Sequence, residues 1–214
     1  MNITIHKHTV GPFEENAWIV VNEDSEEAVL IDPGDQQEVF DAEIEELRIT
    51  PVAIVNTHGH LDHIGAVKYL QDQYDLSFHL HAEDEFLLDQ YPQHAQMFGV
   101  PMQGIPKVTD YLKPGETLYL ANLNFRVIFT PGHTPGGVSL LLGNHLFAGD
   151  TLFAGSIGRT DLPGGEYDTL MRSIVENLLP LDDEVIVHSG HGPDTTIGDE
   201  RESNPFIRQW LAKN

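Results

Sequence analysis

The segment from residue 52 to 63 constrains this chain more than any other. An apolar run, Val52-Ala53-Ile54-Val55-Asn56, is followed at once by Thr57-His58-Gly59-His60-Leu61-Asp62-His63, with four metal-capable side chains inside six positions. The run has no polar face, so it reads as a buried strand. Apolar residues at helical spacing then run from Ile64 to Tyr74. A strand that delivers its polar cluster just before a helix is the unit from which α/β sheets build sites at their carboxyl edges. His58 and His60 are two apart and project to one side of an extended segment. Asp62 and His63 begin a helical turn and point in different directions. One ion could take the two outer imidazoles and a second Asp62 with His63. Chance clustering explains a lone H-x-H, as at His79 and His81, but not the full string after an apolar strand.

The rest of the chain alternates strands and helices. Ile3–Thr9, Ala17–Val21 and Ala28–Ile31 read as a meander of strands. Gln37–Leu47 is an acidic amphipathic helix, Ser77–His81 a strand and Ala82–Gln90 an acidic helix. Residues 91–115 contain Pro92, Pro101, Pro106 and Pro114 and read as an irregular crossing. Leu118–Leu120, Phe125–Phe129, Ser139–Leu142 and Leu146–Ala148 are strands, then a helix to Leu179, a strand Glu184–His188 and a closing helix Pro205–Lys213. Strands then helices, twice over, suggest two sheets face to face with helices outside. Composition and periodicity alone give only α/β.

Three more strand ends offer ligands. Phe125–Phe129 leads to Thr130-Pro131-Gly132-His133-Thr134-Pro135-Gly136, a tight turn presenting His133. Leu146-Phe147-Ala148-Gly149 leads to Asp150, and Val185-Ile186-Val187-His188-Ser189-Gly190 to His191. Imidazole and carboxylate without sulfur suit zinc, iron or manganese, in a catalytic site with open positions.

Composition limits the function. The chain has no cysteine, so thiolate metal sites, disulfides and a cysteine nucleophile are excluded. Eleven Lys+Arg against 34 Asp+Glu give a net charge of −23, which argues against nucleic acid or an anionic membrane as partner. The excess acid is expected on solvated helix faces such as Asp41–Glu46 and Ala82–Asp89. No apolar stretch approaches the roughly 20 residues of a membrane span. Met1–His6 shows no secretory leader, so the expected compartment is the cytoplasm.

H-x-H-x-D-H, Gly-His133-Thr-Pro-Gly, Gly-Asp150 and Gly-His191, in that order, resemble the metallo-β-lactamase-fold hydrolases. Ser156-Ile157-Gly158-Arg159-Thr160-Asp161 and Gly190-His191-Gly192-Pro193-Asp194 resemble the short bacterial members of the glyoxalase II group. The resemblance implies one domain over residues 1–214, a four-layer αβ/βα sandwich without the C-terminal helical extension of longer glyoxalase II enzymes. It implies two divalent ions, zinc ahead of iron or manganese. His58, His60 and His133 would hold one, Asp62, His63 and His191 the other, with Asp150 bridging. Asp62 and Asp150 are then catalytic as well as ligands.

The expected reaction is attack of a metal-bridging hydroxide on a small thioester of the S-lactoylglutathione type, giving a hydroxy acid and a thiol. A mononuclear-iron persulfide dioxygenase and a lactonase or β-lactamase are the alternatives, and a homo-oligomer is possible. Arg159 is a candidate substrate contact, against a plain pairing with Asp161. Asp32 is a candidate to orient a ligand imidazole, against an ordinary turn at Asp32-Pro33-Gly34. His188, His79 and His81 are expected in packing roles. Arg201 and Arg208 are expected at the surface or between elements.

Overall fold

The computed structural model describes residues 2–213. Fourteen strands and seven α-helices are arranged in two six-stranded mixed sheets and a small two-stranded ribbon among these residues. The first sheet has the order β1 (Ile3–Val10), β2 (Glu15–Asn22), β3 (Glu27–Ile31), β4 (Thr50–Val55), β5 (Ser77–His81) and β6 (Asp110–Leu112). β1–β2–β3 are antiparallel, and β3 to β6 parallel. Helices α1 (Gln37–Leu47), α2 (Leu61–Ile64), α3 (Val67–Tyr74) and α4 (Glu85–Phe98) lie in the crossovers between the parallel strands.

The second sheet comprises β7 (Thr117–Leu120), β8 (Leu123–Phe129), β9 (Val138–Leu142), β10 (His145–Gly149), β13 (Ile186–Ser189) and β14 (Thr195–Thr196), in the order β14-β13-β10-β9-β8-β7. Only β10 and β13 pair in parallel. β11 (Leu152–Phe153) and β12 (Ser156–Ile157) form the ribbon. Outside lie α5 (Tyr167–Arg172) with a π-helical continuation over Ser173–Leu178, then α6 (Ile197–Ser203) and α7 (Pro205–Leu211).

Strand alternation assigns side chains to layers. In β2, Ala17, Ile19 and Val21 face the helices with Leu30, Ile54, Phe78 and Leu80. Their neighbours Trp18 and Val20 face the other sheet, against Val29, Val55, Phe125, Val127, Leu140 and Phe147. A third cluster places Leu146, Ala148 and Val187 under Leu170, Ile174 and Ile207. Three buried clusters between four layers make the αβ/βα sandwich, with the buried core strands β2 to β4, β9 and β10 between them.

The structure departs from the sequence expectations in local ways. The helix expected over Ile64–Tyr74 is interrupted between α2 and α3. Gly65 there packs against the carbonyl of Gly34, where a β-carbon would overlap it, and the Ala66 amide donates to the Pro33 carbonyl (3.0 Å). The break lets the ligand-bearing turn lie against the Asp32-Pro33-Gly34 turn. Instead of ending near Gln90, α4 runs through Pro92 to Phe98, because its buried stripe of Leu87, Leu88, Tyr91 and Ala95 continues across the proline. Gly99, at φ +67°, ends it in the left-handed conformation that glycine adopts freely. Two helices rather than one follow His191. The second starts on Asn204, whose side chain accepts from the Phe206 and Ile207 amides.

The acidic surface is also less uniformly solvated than expected. Asp41 accepts from the hydroxyls of Tyr69 and Tyr74 (2.8 Å each), and Asp84 is fully buried. No helix is long and apolar enough to cross a membrane among the described residues.

Candidate metal centre

The ligand candidates follow β4, β8, β10 and β13, on the carboxyl side of both sheets, with Asp62 and His63 inside α2 and the rest on the loops. His58, His60 and His133 form one group whose donor atoms lie within 4.8 Å of one another. Asp62, His63 and His191 form a second. Asp150 stands between them. Its Oδ1 is 3.4 Å from His63 Nε2, and its Oδ2 is 3.5 Å from His133 Nε2 and 3.6 Å from His191 Nε2. His60 Nδ1 and His133 Nε2 converge to 2.9 Å. All seven candidates therefore meet at one centre.

Acceptors stand behind four of the five imidazoles, His58, His63, His133 and His191, and decide which nitrogen faces the centre. His133 Nδ1 donates to the Arg159 carbonyl (2.8 Å), freeing Nε2. His191 Nδ1 donates to the Glu14 carbonyl (3.3 Å). The Thr57 hydroxyl donates to Asp32 Oδ2 (2.6 Å) and accepts from His58 Nδ1 (3.1 Å). The Thr57 amide donates to Asp32 Oδ1 (2.7 Å). Asp32 Oδ2 is also 3.2 Å from His63 Nδ1. Asp32 thus backs one imidazole of each group, directly for His63 and through Thr57 for His58. It is buried and holds a left-handed φ of +50°, a strained conformation for a residue with a β-carbon.

Arg159 contributes through its backbone. Its guanidinium pairs bidentately with Asp161 (2.8 and 2.7 Å) and is 60% exposed, so the pairing alternative describes the side chain. His188 hydrogen-bonds Asp194 and His145 (2.9 Å each), away from the ligand groups. His81 stacks on Phe129, and His79 hydrogen-bonds Ser77. Arg201 binds the Leu179 and Leu181 carbonyls and pairs with Asp183, an inter-element role.

Two acids went unnoticed in the sequence. Asp84, at the start of α4, accepts from the Gly59 amide (3.0 Å), the Thr134 hydroxyl (2.7 Å) and the Gly136 amide (2.6 Å). It ties the loop carrying His58 and His60 to the loop carrying His133. Glu15 opens β2, is fully buried, and brings Oε1 to 3.5 Å from His63 Nδ1. The available signal was an acid immediately before an apolar run, Asn16-Ala17-Trp18-Ile19-Val20-Val21.

The electrostatics suit cations. Burial, then His63 and His133, push His58 well below the usual imidazole range, and burial holds His60 down at about 3. Burial would raise Asp150, but His63 and the other imidazoles outweigh it and hold the carboxyl ionised. Burial likewise opposes Asp62, and the hydrogen bond from His191 prevails. Burial alone would lower His63. Asp150 and Glu15 carry it well above the ordinary value instead. His58 Nε2, His63 Nε2 and Asp150 Oδ1 are buried without a hydrogen-bond partner. Such orphaned donors, all nitrogen and oxygen, fit divalent ions of the zinc, iron or manganese kind.

Two mixed sheets under helices, with an imidazole–carboxylate centre at their strand ends, define a metallo-hydrolase. The family model of the Metallo-beta-lactamase superfamily matches residues 10–191, and the chain belongs to that superfamily as a hydrolytic enzyme. It is similar to the hydroxyacylglutathione hydrolase GloC of Haemophilus influenzae, 40% identical over 97% of this chain and 98% of that protein. Among solved structures it is similar to the BLEG-1 B3 metallo-beta-lactamase, 38% identical, with a TM-score of 0.89 over 95% of this chain and 99% of the other. TTHA1623, solved in a di-iron-bound form, is 40% identical, with a TM-score of 0.87 over 94% and 99%.

Proposed function

We propose that the chain is a dinuclear thioester hydrolase of the glyoxalase II type, cleaving S-lactoylglutathione or a related small thioester to a hydroxy acid and a thiol. The observation that carries this is Asp150 placed between the two ligand groups. The similarity to GloC over nearly the whole of both chains supports the same reading. When bound, two divalent ions would supply Lewis acidity to an acyl carbonyl and would lower the pKa of a bound water.

The chain's own residues hold that arrangement rigid. Asp150 and Asp62 stay ionised, and back hydrogen bonds fix His58, His133 and His191. The acids and imidazoles gathered here either face the ion positions or back a residue that does. A leaving group that departs without a donated proton is therefore favoured. A thiol, with a pKa of about 8.5, leaves as thiolate where an amine or alkoxide would need protonation. Zinc is the proposed ion in both positions, with iron the first alternative, supported by the di-iron form of TTHA1623. The proposal carries with it a small-molecule substrate and the cytoplasm as compartment.

The test is turnover of S-lactoylglutathione by protein loaded with two equivalents of zinc or iron. A lactone, a β-lactam, and glutathione persulfide with oxygen uptake followed run in parallel. Thioester cleavage is expected to exceed the others. Absence of thioester turnover in protein holding two ions would overturn the assignment.

A further inference from the structure

We propose that Glu15 is a positioning residue for the ion held by Asp62, His63 and His191, acting on the back nitrogen of His63 together with Asp32. The inference rests on the two-ion reading of the centre and not on the identity of the substrate.

Glu15 is fully buried, and neither carboxylate oxygen has a hydrogen-bond partner. The cationic or donor group it approaches is His63 Nδ1, at 3.5 Å, where Asp32 Oδ2 stands at 3.2 Å. One imidazole N–H is therefore flanked by two carboxylates, while its Nε2 points at Asp150. Space for the second carboxylate is made by Gly34, since a β-carbon there would come within 2.6 Å of Glu15 Oε2 and overlap the Asp62 carbonyl.

The backbone around Glu15 serves the same ion position. The preceding carbonyl, of Glu14, accepts from His191 Nδ1. Glu15 itself pairs with His191 as an isolated antiparallel bridge, and the Asn16 amide donates to the Gly190 carbonyl (2.7 Å). Two adjacent residues thus back both imidazoles of one ligand group, Glu14 by its carbonyl and Glu15 by its side chain. Neither touches His58, His60 or His133 in this way.

Charge balance explains why so costly a group is kept. Asp32, Glu15, Asp62 and Asp150 bring four carboxylates to the centre, and two divalent ions would match them. A buried carboxylate without compensation is strongly unfavourable. Neither carboxylate oxygen of Glu15 has a hydrogen-bond partner, so its compensation must come through His63 and the ion that His63 would hold. An acceptor of this kind raises ligand basicity and locks ring orientation, and its loss typically costs 10–100-fold in metal affinity.

The experiment is competitive chelator titration of zinc into the metal-free full chain, comparing wild type with Glu15→Gln and Glu15→Asp. Each variant's melting temperature is also read without metal. In Glu15→Gln the ion held by Asp62, His63 and His191 is expected to lose about 10–100-fold in affinity, with the other ion within about threefold of wild type. The metal-free melting temperature should be unchanged, because the amide keeps the volume of the carboxyl in its buried site. Glu15→Asp, which keeps the charge, should recover part of the affinity. Equal affinity of both ions in wild type and Glu15→Gln would overturn the role of Glu15. So would a joint fall of both affinities with the metal-free melting temperature, which is what a purely structural residue gives. A wild-type chain that takes only one ion would overturn the two-ion reading as well.

Discussion

Replacing Asp84 by alanine removes a side chain that fastens the His58–His60 loop to the His133 loop, and the cost can be worked out from its contacts. Three donors, the Gly59 and Gly136 amides and the Thr134 hydroxyl, lose their acceptor in a buried site. Each orphaned donor costs about 1–3 kcal/mol, so the gross loss is roughly 3–9 kcal/mol. Part of it is returned. Burial pushes the Asp84 carboxyl above its ordinary range even against those three bonds, so removing it relieves a desolvation penalty. A net loss of about 3–5 kcal/mol follows, typical of breaking a buried charged contact. That is a large fraction of the roughly 5–15 kcal/mol of a folded domain. Urea unfolding in chelator, followed by circular dichroism, measures it without ions. The position of the contacts adds a second expectation. Gly59 lies between His58 and His60, and Thr134 follows His133, so the ion held by these three should weaken more than the other. A loss below about 1 kcal/mol, or equal weakening of both ions, would refute the account of Asp84 as a fastener.

Other expectations follow from the same geometry. Asp150→Ala should abolish the binding of two ions, because its oxygens reach His63 of one group and His133 of the other. Elemental analysis showing two ions in that variant would contradict the bridging position. Raised His63 carries a proton at neutral pH, so an ion binding beside it must displace that proton. The ion held by Asp62, His63 and His191 should therefore gain affinity as pH rises toward the folded-state pKa of His63, more steeply than the ion at His58 and His60, whose imidazoles are already neutral. Chelator competition at three pH values reads the difference. Asn204→Ala removes the cap of α7 and the side-chain bonds to the Ser156 carbonyl and Glu200. Its cost should be about 1–3 kcal/mol in urea unfolding, with ion stoichiometry intact.

The strand-end ligand candidates were legible because they follow apolar runs and because metal chemistry demands a narrow set of side chains. His58, His60, Asp62, His63, His133, Asp150 and His191 could be read from spacing and order. The residues behind them could not. Glu15 and Asp84 look like surface acids in a chain with so many, and only tertiary packing shows them buried. Arg159 drew notice for its charge, yet its carbonyl is what reaches His133, and backbone contacts leave no trace in residue type. Pro92 was given more weight than its surroundings allow. The buried stripe of α4 outweighs the missing hydrogen bond. The four layers followed from the alternation of strands and helices, whereas the break between α2 and α3 depends on two turns meeting, which periodicity does not register.

The first ligand group draws on both sheets, and so does the second, which has consequences during synthesis. A ribosome adds about 5–20 residues per second, so His63 waits roughly 6–25 s for His191, on the order of 130 residues later. For about the first half of that interval, until His133 follows about 70 residues after His63, the N-terminal part presents His58, His60, Asp62 and His63 with no counterpart, and the second group stays incomplete until His191. A nascent chain in this state could hold an ion only loosely and incompletely. Tight capture has to follow the docking of the second sheet, which makes metal supply a late event in the life of each new molecule.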